Sequence, residues 1–237
     1  TVNFSASSSS LKKGESFKDT VQNIEAMKID AVVMRHPNPG SSLHLTKYID
    51  SVVINAGDGT HEHPTQAILD MTSLKECFGK IKGLKIGIIG DIAHSRVARS
   101  NIYGLNNMGA EVMVCGPPTL VPHDIHSLGV KITHNLDEIL DWADAINVLR
   151  IQLERMDRGL FPSVREYRNL FGITNERLQK HNKEIIIMHP GPMNRGVEIE
   201  SAVADGKSAI ILDQVLNGVA SRMAILYLFL GGNQNES

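Results

Sequence analysis

Short apolar runs rich in β-branched residues alternate with longer amphipathic stretches along this chain, and that alternation leaves few folds open to it. Residues 31–34, 52–54, 85–89, 111–115, 145–148, 184–188 and 208–212 read as strands, and residues 1–4 alternate in the same way. Residues 17–27, 65–78, 95–108 and 136–142 space their apolar side chains as helices do. Strands separated by helices of that length cannot pair as hairpins. They need crossovers, which build a parallel sheet with helices on both faces. The expected class is therefore α/β, with two doubly wound parallel sheets in succession and a break at the Gly/Lys-rich residues 79–83. Residues 213–230 read as one last long helix, with Asp213 as its N-cap and Gly231-Gly232 as its stop.

Composition narrows the function classes. A chain of 237 residues can hold one large domain or two small ones with real cores. Its formal net charge of −2 argues against a nucleic-acid-binding surface. The longest apolar run, residues 223–230, falls far short of the roughly 20 residues that span a bilayer, so no membrane partner is expected. Cys77 and Cys115 are the only cysteines and show no CxxC spacing, which points away from a disulfide framework and from a zinc ribbon. A cytoplasmic, reducing setting fits that usage. The chain opens on Thr1-Val2-Asn3-Phe4, without Met and in a strand-like pattern, so it reads as starting within a domain.

Ligands of open parallel sheets bind at the loops leaving the C-terminal strand ends, and here those loops are polar. Residues 7–16, S-S-S-S-L-K-K-G-E-S, offer hydroxyls and two lysines to a phosphate or carboxylate, although a solvated linker would look the same. Arg35, in M-R-H-P, can fork two donors onto an anion or serve in a surface ion pair. Residues 55–70, N-A-G-D-G-T-H-E-H-P-T-Q-A-I-L-D, hold His61, Glu62 and His63, which resemble metal ligands at first sight. No third soft ligand lies nearby and the i, i+4 spacing of a zincin helix is absent, so no metal is expected. Pro64 instead suits the first position of a helix, which puts His63 at its entrance and Gln66 in its first turn, a cradle for an anion. Residues 86–96 invite a dinucleotide reading, yet Ser95 stands where the third glycine of G-x-G-x-x-G belongs. A nicotinamide-dependent dehydrogenase is therefore the weaker alternative, and Arg96 at that helix start can hold a carboxylate. Arg150 and Gln152 alternate after another strand and project to one side, a clamp for an anionic substrate. Taken alone, His189-Pro190-Gly191-Pro192 is a rigid structural turn.

Together these motifs carry a resemblance. N-A-G-D-G-x-x-x-H-P-T-Q-x-x-x-D, V-M-R-H-P, S-x-x-x-K-G-E, G-D-x-x-H-S-R-V and R-x-Q-x-E-R stand at natural spacing, and the chain resembles the aspartate/ornithine carbamoyltransferase family over essentially its whole length. R-I-Q-L-E-R and H-P-G-P favour the aspartate-using branch, since ornithine-using relatives carry an H-C-L-P turn. The resemblance implies that Arg35, His63 and Gln66 are catalytic and bind carbamoyl phosphate, with Ser9 and the backbone at Gly191 and Pro192. It implies that Lys13, Arg96, Arg150 and Gln152 bind L-aspartate. Ser9 and Lys13 would reach into a neighbouring subunit's site, so a homotrimer with shared sites is implied. Regulatory or dihydroorotase partners are possible, and no metal or organic cofactor is needed. The implied domains are residues 1–70 with 214–237 for carbamoyl phosphate, incomplete at the N-terminus, and residues 71–213 for aspartate. The family's Ser-Thr-Arg-Thr-Arg phosphate loop precedes the strand that begins here at Thr1, and the family's first helix is missing too. The chain therefore reads as a fragment of a longer protein, and 237 residues taken literally are expected to show little or no turnover; the alternative to a carbamoyl transferase is an inactive truncated homologue that only assembles.

Overall fold

A computed structural model of the chain describes residue 1 and residues 17–152, 163–181 and 183–231. Two parallel sheets follow each other. The first pairs β1 (Ala31–His36) with β2 (Val52–Asp58), flanked by α1 (Phe17–Glu25), α2 (Ser41–Leu45) and α3 (Pro64–Phe78). The second contains β3 (Lys85–Ile89), β4 (Glu111–Cys115), β5 (Lys131–Thr133), β6 (Ala145–Val148) and β7 (Ile186–Met188) in the order β5-β4-β3-β6-β7. Around it lie α4 (Arg96–Asn107), α5 (Leu136–Trp142), α6 (Val164–Phe171), α7 (Asn175–Leu178) and α8 (Ser201–Ala204). The chain ends in α9 (Ile211–Leu230), which returns to pack along α3.

The inner strands β3, β4 and β6 of the second sheet are buried at nearly every position because both faces are covered. In β4, Val112 and Val114 join one core with Ile86, Ile88 and Ile102, while Met113 and Cys115 join the other with Ile139, Ile146 and Tyr167. Period-two alternation thus sorts one strand into two cores. Gly87 leaves room on the second face for Ile139, from which a Cβ would lie 3.0 Å away.

Helix starts follow local chemistry. Pro64 occupies the first turn of α3, where its missing N–H costs nothing. The Ser95, Asn135, Ser163 and Thr174 side chains accept from the first backbone N–H groups of α4, α5, α6 and α7.

Three expectations need correction or restriction. Residues 208–212 do not form a strand: Ala209 makes an isolated bridge to Ile187, and the backbone turns helical at Ile211. β7 is only three residues long, so it offers little edge on which to extend pairing. The N-cap of α9 is accordingly Ile210, and Asp213 sits within the first turn, where its charge meets the positive end of the helix. The strand expected at residues 1–4 lies, apart from Thr1, outside the described residues. No helix among the described residues is long and apolar enough to cross a membrane. The outer face of α9 is nonetheless exposed at Leu212, Val215, Leu216, Val219, Met223 and Leu228.

Candidate active site

The order of the second sheet reverses between β3 and β6, so the chains leaving these neighbours diverge and open a crevice. The crevice meets the strand ends of the first sheet, and a cleft of about 390 Å³ forms there. It is lined by Arg35 from β1, His63 and Gln66 from the start of α3, Asp91 to Val97 in part from after β3, Leu149, Arg150 and Gln152 from after β6, Pro190 to Pro192 from after β7, and Arg222 from α9. Among the described residues, four guanidinium groups and one carboxylate line the cleft, the carboxylate being that of Asp91, which is engaged by the ring Nδ1 of His94 at 2.9 Å.

The loop between β2 and α3 is built around Asp58. Its carboxylate accepts from the backbone N–H of Gly40 at 2.6 Å and of Glu62 at 3.0 Å, from Asn55 Nδ2 at 3.0 Å and from His61 Nδ1 at 3.1 Å. Burial acts to raise its pKa, but these four bonds together hold it below the usual carboxylate value. His61 is thus bound to Asp58. Glu62 takes the Ser100 hydroxyl, whose oxygen in turn accepts the His63 backbone N–H at 2.8 Å. Both residues hold the loop together and neither lines the cleft. Gly57 has φ +118°, and a Cβ there would lie 2.9 Å from the Arg96 guanidinium carbon, so the glycine lets Arg96 pass. Arg96 Nη1 also donates to the Gly59 carbonyl at 3.3 Å.

His63 stands at the N-terminus of α3. Burial, and then the charges of Arg96, Arg35 and Arg222, push its pKa down to about 4. The imidazole is neutral at pH 7 and can give or take a hydrogen bond without adding charge. Gln66 Nε2 donates to Asp70 Oδ1 at 2.9 Å. Asp70 also accepts from Gln214 Nε2 at 2.8 Å, Asn101 Nδ2 at 2.7 Å and Asn147 Nδ2 at 3.1 Å. Gln214 Oε1 takes the His189 backbone N–H at 2.9 Å, and His189 Nδ1 takes that of Gly191 at 2.9 Å. A continuous run of hydrogen bonds therefore joins Gln66 to the Pro190–Pro192 turn.

The structure thus gathers Arg35, His63, Gln66, Arg96, Arg150, Gln152, Gly191 and Pro192 into one cleft. Ser9 and Lys13 lie outside the described residues. Sequence reasoning missed Arg222, His94 and Ser95 as lining residues. A signal existed for the first: Arg222 is the one basic residue of α9, and Gly218, one turn earlier, makes room for it, since a Cβ there would lie 2.6 Å from Arg222 Nη1.

Parallel strands ending on a cleft of four guanidiniums and a neutral imidazole define a class: an α/β protein built to bind small polyanions and to stabilise charge by fixed donors. Comparison with known proteins narrows that class. Residues 1–76 match the model of the aspartate/ornithine carbamoyltransferase carbamoyl-P binding domain, and residues 82–229 match that of the Asp/Orn binding domain. The chain belongs to the aspartate/ornithine carbamoyltransferase family. It is 60% identical over 227 residues to the aspartate carbamoyltransferase catalytic subunit of Christiangramia forsetii, covering 96% of this chain and 73% of the relative. It is also 60% identical over 232 residues to that of Desulforamulus reducens, covering 98% and 74%. Among solved structures it is similar to aspartate transcarbamoylase from Trypanosoma cruzi in complex with carbamoyl phosphate, with TM-score 0.83 and 31% identity over 95% of this chain and 74% of that one. The same enzyme in complex with N-(phosphonacetyl)-L-aspartic acid gives TM-score 0.82 and 32% identity, covering 95% and 74%.

Proposed function

We propose that this protein transfers the carbamoyl group of carbamoyl phosphate to the amino group of L-aspartate, giving N-carbamoyl-L-aspartate and phosphate, a step of pyrimidine biosynthesis. The observation that carries the reading is the convergence of Arg35, Arg96, Arg150 and Arg222 on one cleft around a neutral histidine. The relatives named aspartate carbamoyltransferase catalytic subunit support the choice of reaction.

In this reading Arg35 and His63 donate to the carbamoyl carbonyl oxygen, whose negative charge grows as the amine attacks. Gln66 meets the carbamoyl amide, and the backbone at Gly191 and Pro192 faces the same group. Arg96, Arg150 and Gln152 hold the carboxylates of aspartate. Attack forms a tetrahedral intermediate that expels phosphate, and positioning with charge stabilisation supplies the rate. Residues 1–70 with 214–237 form the carbamoyl-phosphate domain and residues 71–213 the aspartate domain, and the packing of α9 along α3 supports grouping the end of the chain with the first part. We also place the protein in the cytoplasm as a homotrimer, in which Ser9 and Lys13 serve a neighbouring subunit's site.

The test is product formation by the complete polypeptide with carbamoyl phosphate, aspartate and ornithine being offered separately. A ureido product with aspartate alone supports the reading. Product with ornithine moves the protein to the other branch, and absence of both products supports an assembly-only homologue. Arg150→Ala should raise the aspartate KM about 10- to 100-fold, with carbamoyl phosphate affinity kept within about threefold. Equal weakening of both ligands would remove Arg150 from the aspartate clamp.

A further inference from the structure

We propose that Asp70 is a positioning residue of this site: its buried carboxylate fixes the orientation of the Gln66 carboxamide and thereby makes the cleft select a ligand with an N–H donor at that point. The inference rests on the reading of Gln66 as the partner of the carbamoyl amide and supplies what that reading lacks, the reason the amide points the right way.

A glutamine side chain presents a donor and an acceptor of nearly equal size, and a site that uses one must prevent the flip to the other. Gln66 lines the cleft, and its Nε2 is committed to Asp70 Oδ1 at 2.9 Å. A carboxylate only accepts, so the nitrogen must face Asp70 and the carbonyl Oε1 is the atom left for a ligand. An acceptor there welcomes the –NH₂ of a carbamoyl group and offers nothing to a methyl group in its place. Asp70 is itself fixed from four directions, by Gln66 on α3, Asn101 on α4, Asn147 on β6 and Gln214 on α9. Two donors on each oxygen fill its four lone-pair positions. The residue is 1% exposed, and burial raises its pKa to about 6 against the pull of the four amides, so the charge is retained at pH 7. Through Gln214 and His189 the same carboxylate is linked to Gly191, which also lines the cleft.

Two replacements separate this role from mere packing. Asp70→Leu keeps the side chain's branched shape but offers no acceptor, so Gln66 loses its restraint. Asp70→Asn keeps one oxygen for Gln66 and Gln214. Its new NH₂ can be met by Asn101 and Asn147, whose Oδ1 atoms are buried and lack a hydrogen-bond partner. The readout is the ratio of affinities for carbamoyl phosphate and acetyl phosphate, measured by isothermal titration on the complete protein. Wild type should prefer carbamoyl phosphate, Asp70→Leu should cut that preference about 10- to 100-fold while holding acetyl phosphate within about threefold, and Asp70→Asn should restore most of it. Equal weakening of both ligands by Asp70→Leu, or an unchanged ratio, overturns the inference alone. A wild-type protein with no preference removes the reading of Gln66 and this inference with it. Should the leucine variant fail to fold, hydrogen exchange of the Gln66 side-chain amide in wild type decides. Slow exchange supports the fixed amide, and exchange as fast as that of exposed glutamines overturns it.

Discussion

Asp58, the last residue of β2, and Asp70, within α3, invite comparison, since each is 1% exposed and each accepts four hydrogen bonds. Their ionisation moves in opposite directions. Asp58 ends below the usual carboxylate value, and Asp70 ends at about 6. Asp58 lies at the end of β2 beside the half-exposed His61, and two of its donors are backbone N–H groups. Asp70 lies where three helices and a strand meet, with side-chain amides as its only donors among these bonds. Equal hydrogen-bond counts thus do not give equal charge stability, because the surrounding medium sets how much of the lost hydration must be replaced. Asp58 holds a loop with a charge that is well accommodated, whereas Asp70 carries its charge at a cost and sits next to the cleft-lining amide of Gln66.

The contrast is broken most directly by removing each carboxylate. Asp70→Ala leaves four buried amides without an acceptor and should destabilise the protein by about 4 kcal/mol, against about 2 kcal/mol for Asp58→Ala, whose donors lie closer to water. Urea denaturation of both variants measures the difference, and equal losses would erase it.

The pH dependence sharpens the same contrast with opposite signs. Between pH 4 and pH 6 the native state keeps a proton on Asp70 that the unfolded chain has released, so the wild type loses stability as pH rises through that window. Asp70→Asn lacks this loss, and its stability relative to wild type should rise by on the order of 3 kcal/mol from pH 4 to pH 7. For Asp58 the native state releases its proton first, so its contribution is present above about pH 4 and lost as pH falls below it. Asp58→Asn should therefore gain relative to wild type only on the acid side. Slopes of the same sign for the two variants would sink the contrast.

The smallest expected effect belongs to His63, whose folded pKa of about 4 lies below its ordinary 6.5. Its unfolded form takes up a proton first, so its stabilising contribution is full above pH 6.5 and is lost as pH falls toward 4. His63→Gln should flatten that acid loss by on the order of 1 kcal/mol in thermal or urea unfolding at pH 5 against pH 7, partial exposure having reduced the figure. An unchanged profile would mean that the imidazole is not desolvated.

Much of the fold was legible because burial on both sheet faces leaves nearly continuous apolar strands, as in residues 85–89, 111–115 and 145–148. Short edge elements were not. β5 has three residues and two of them are exposed, so it carries little pattern to read. The helical start of α9 at Ile211 looked like a strand because apolar β-branched residues serve both states, and the position of the sheet edge decided between them. In the site, residues on strand-end loops stood out by their polarity, whereas Arg222 was hidden in the middle of an apolar helix.

The sequence by itself determined the α/β alternation, the helix starts at Pro64 and Ser95, and the identity of the polar loops, since each depends on spacing and local hydrogen bonding within a few residues. Only the tertiary structure decided that Arg222 from α9 joins Arg35 from β1, that His63 is neutral, and that Asp70 unites α3, α4, β6 and α9. Those facts arise from groups far apart in the chain sharing one poorly hydrated space, where each fixes the charge and orientation of the others.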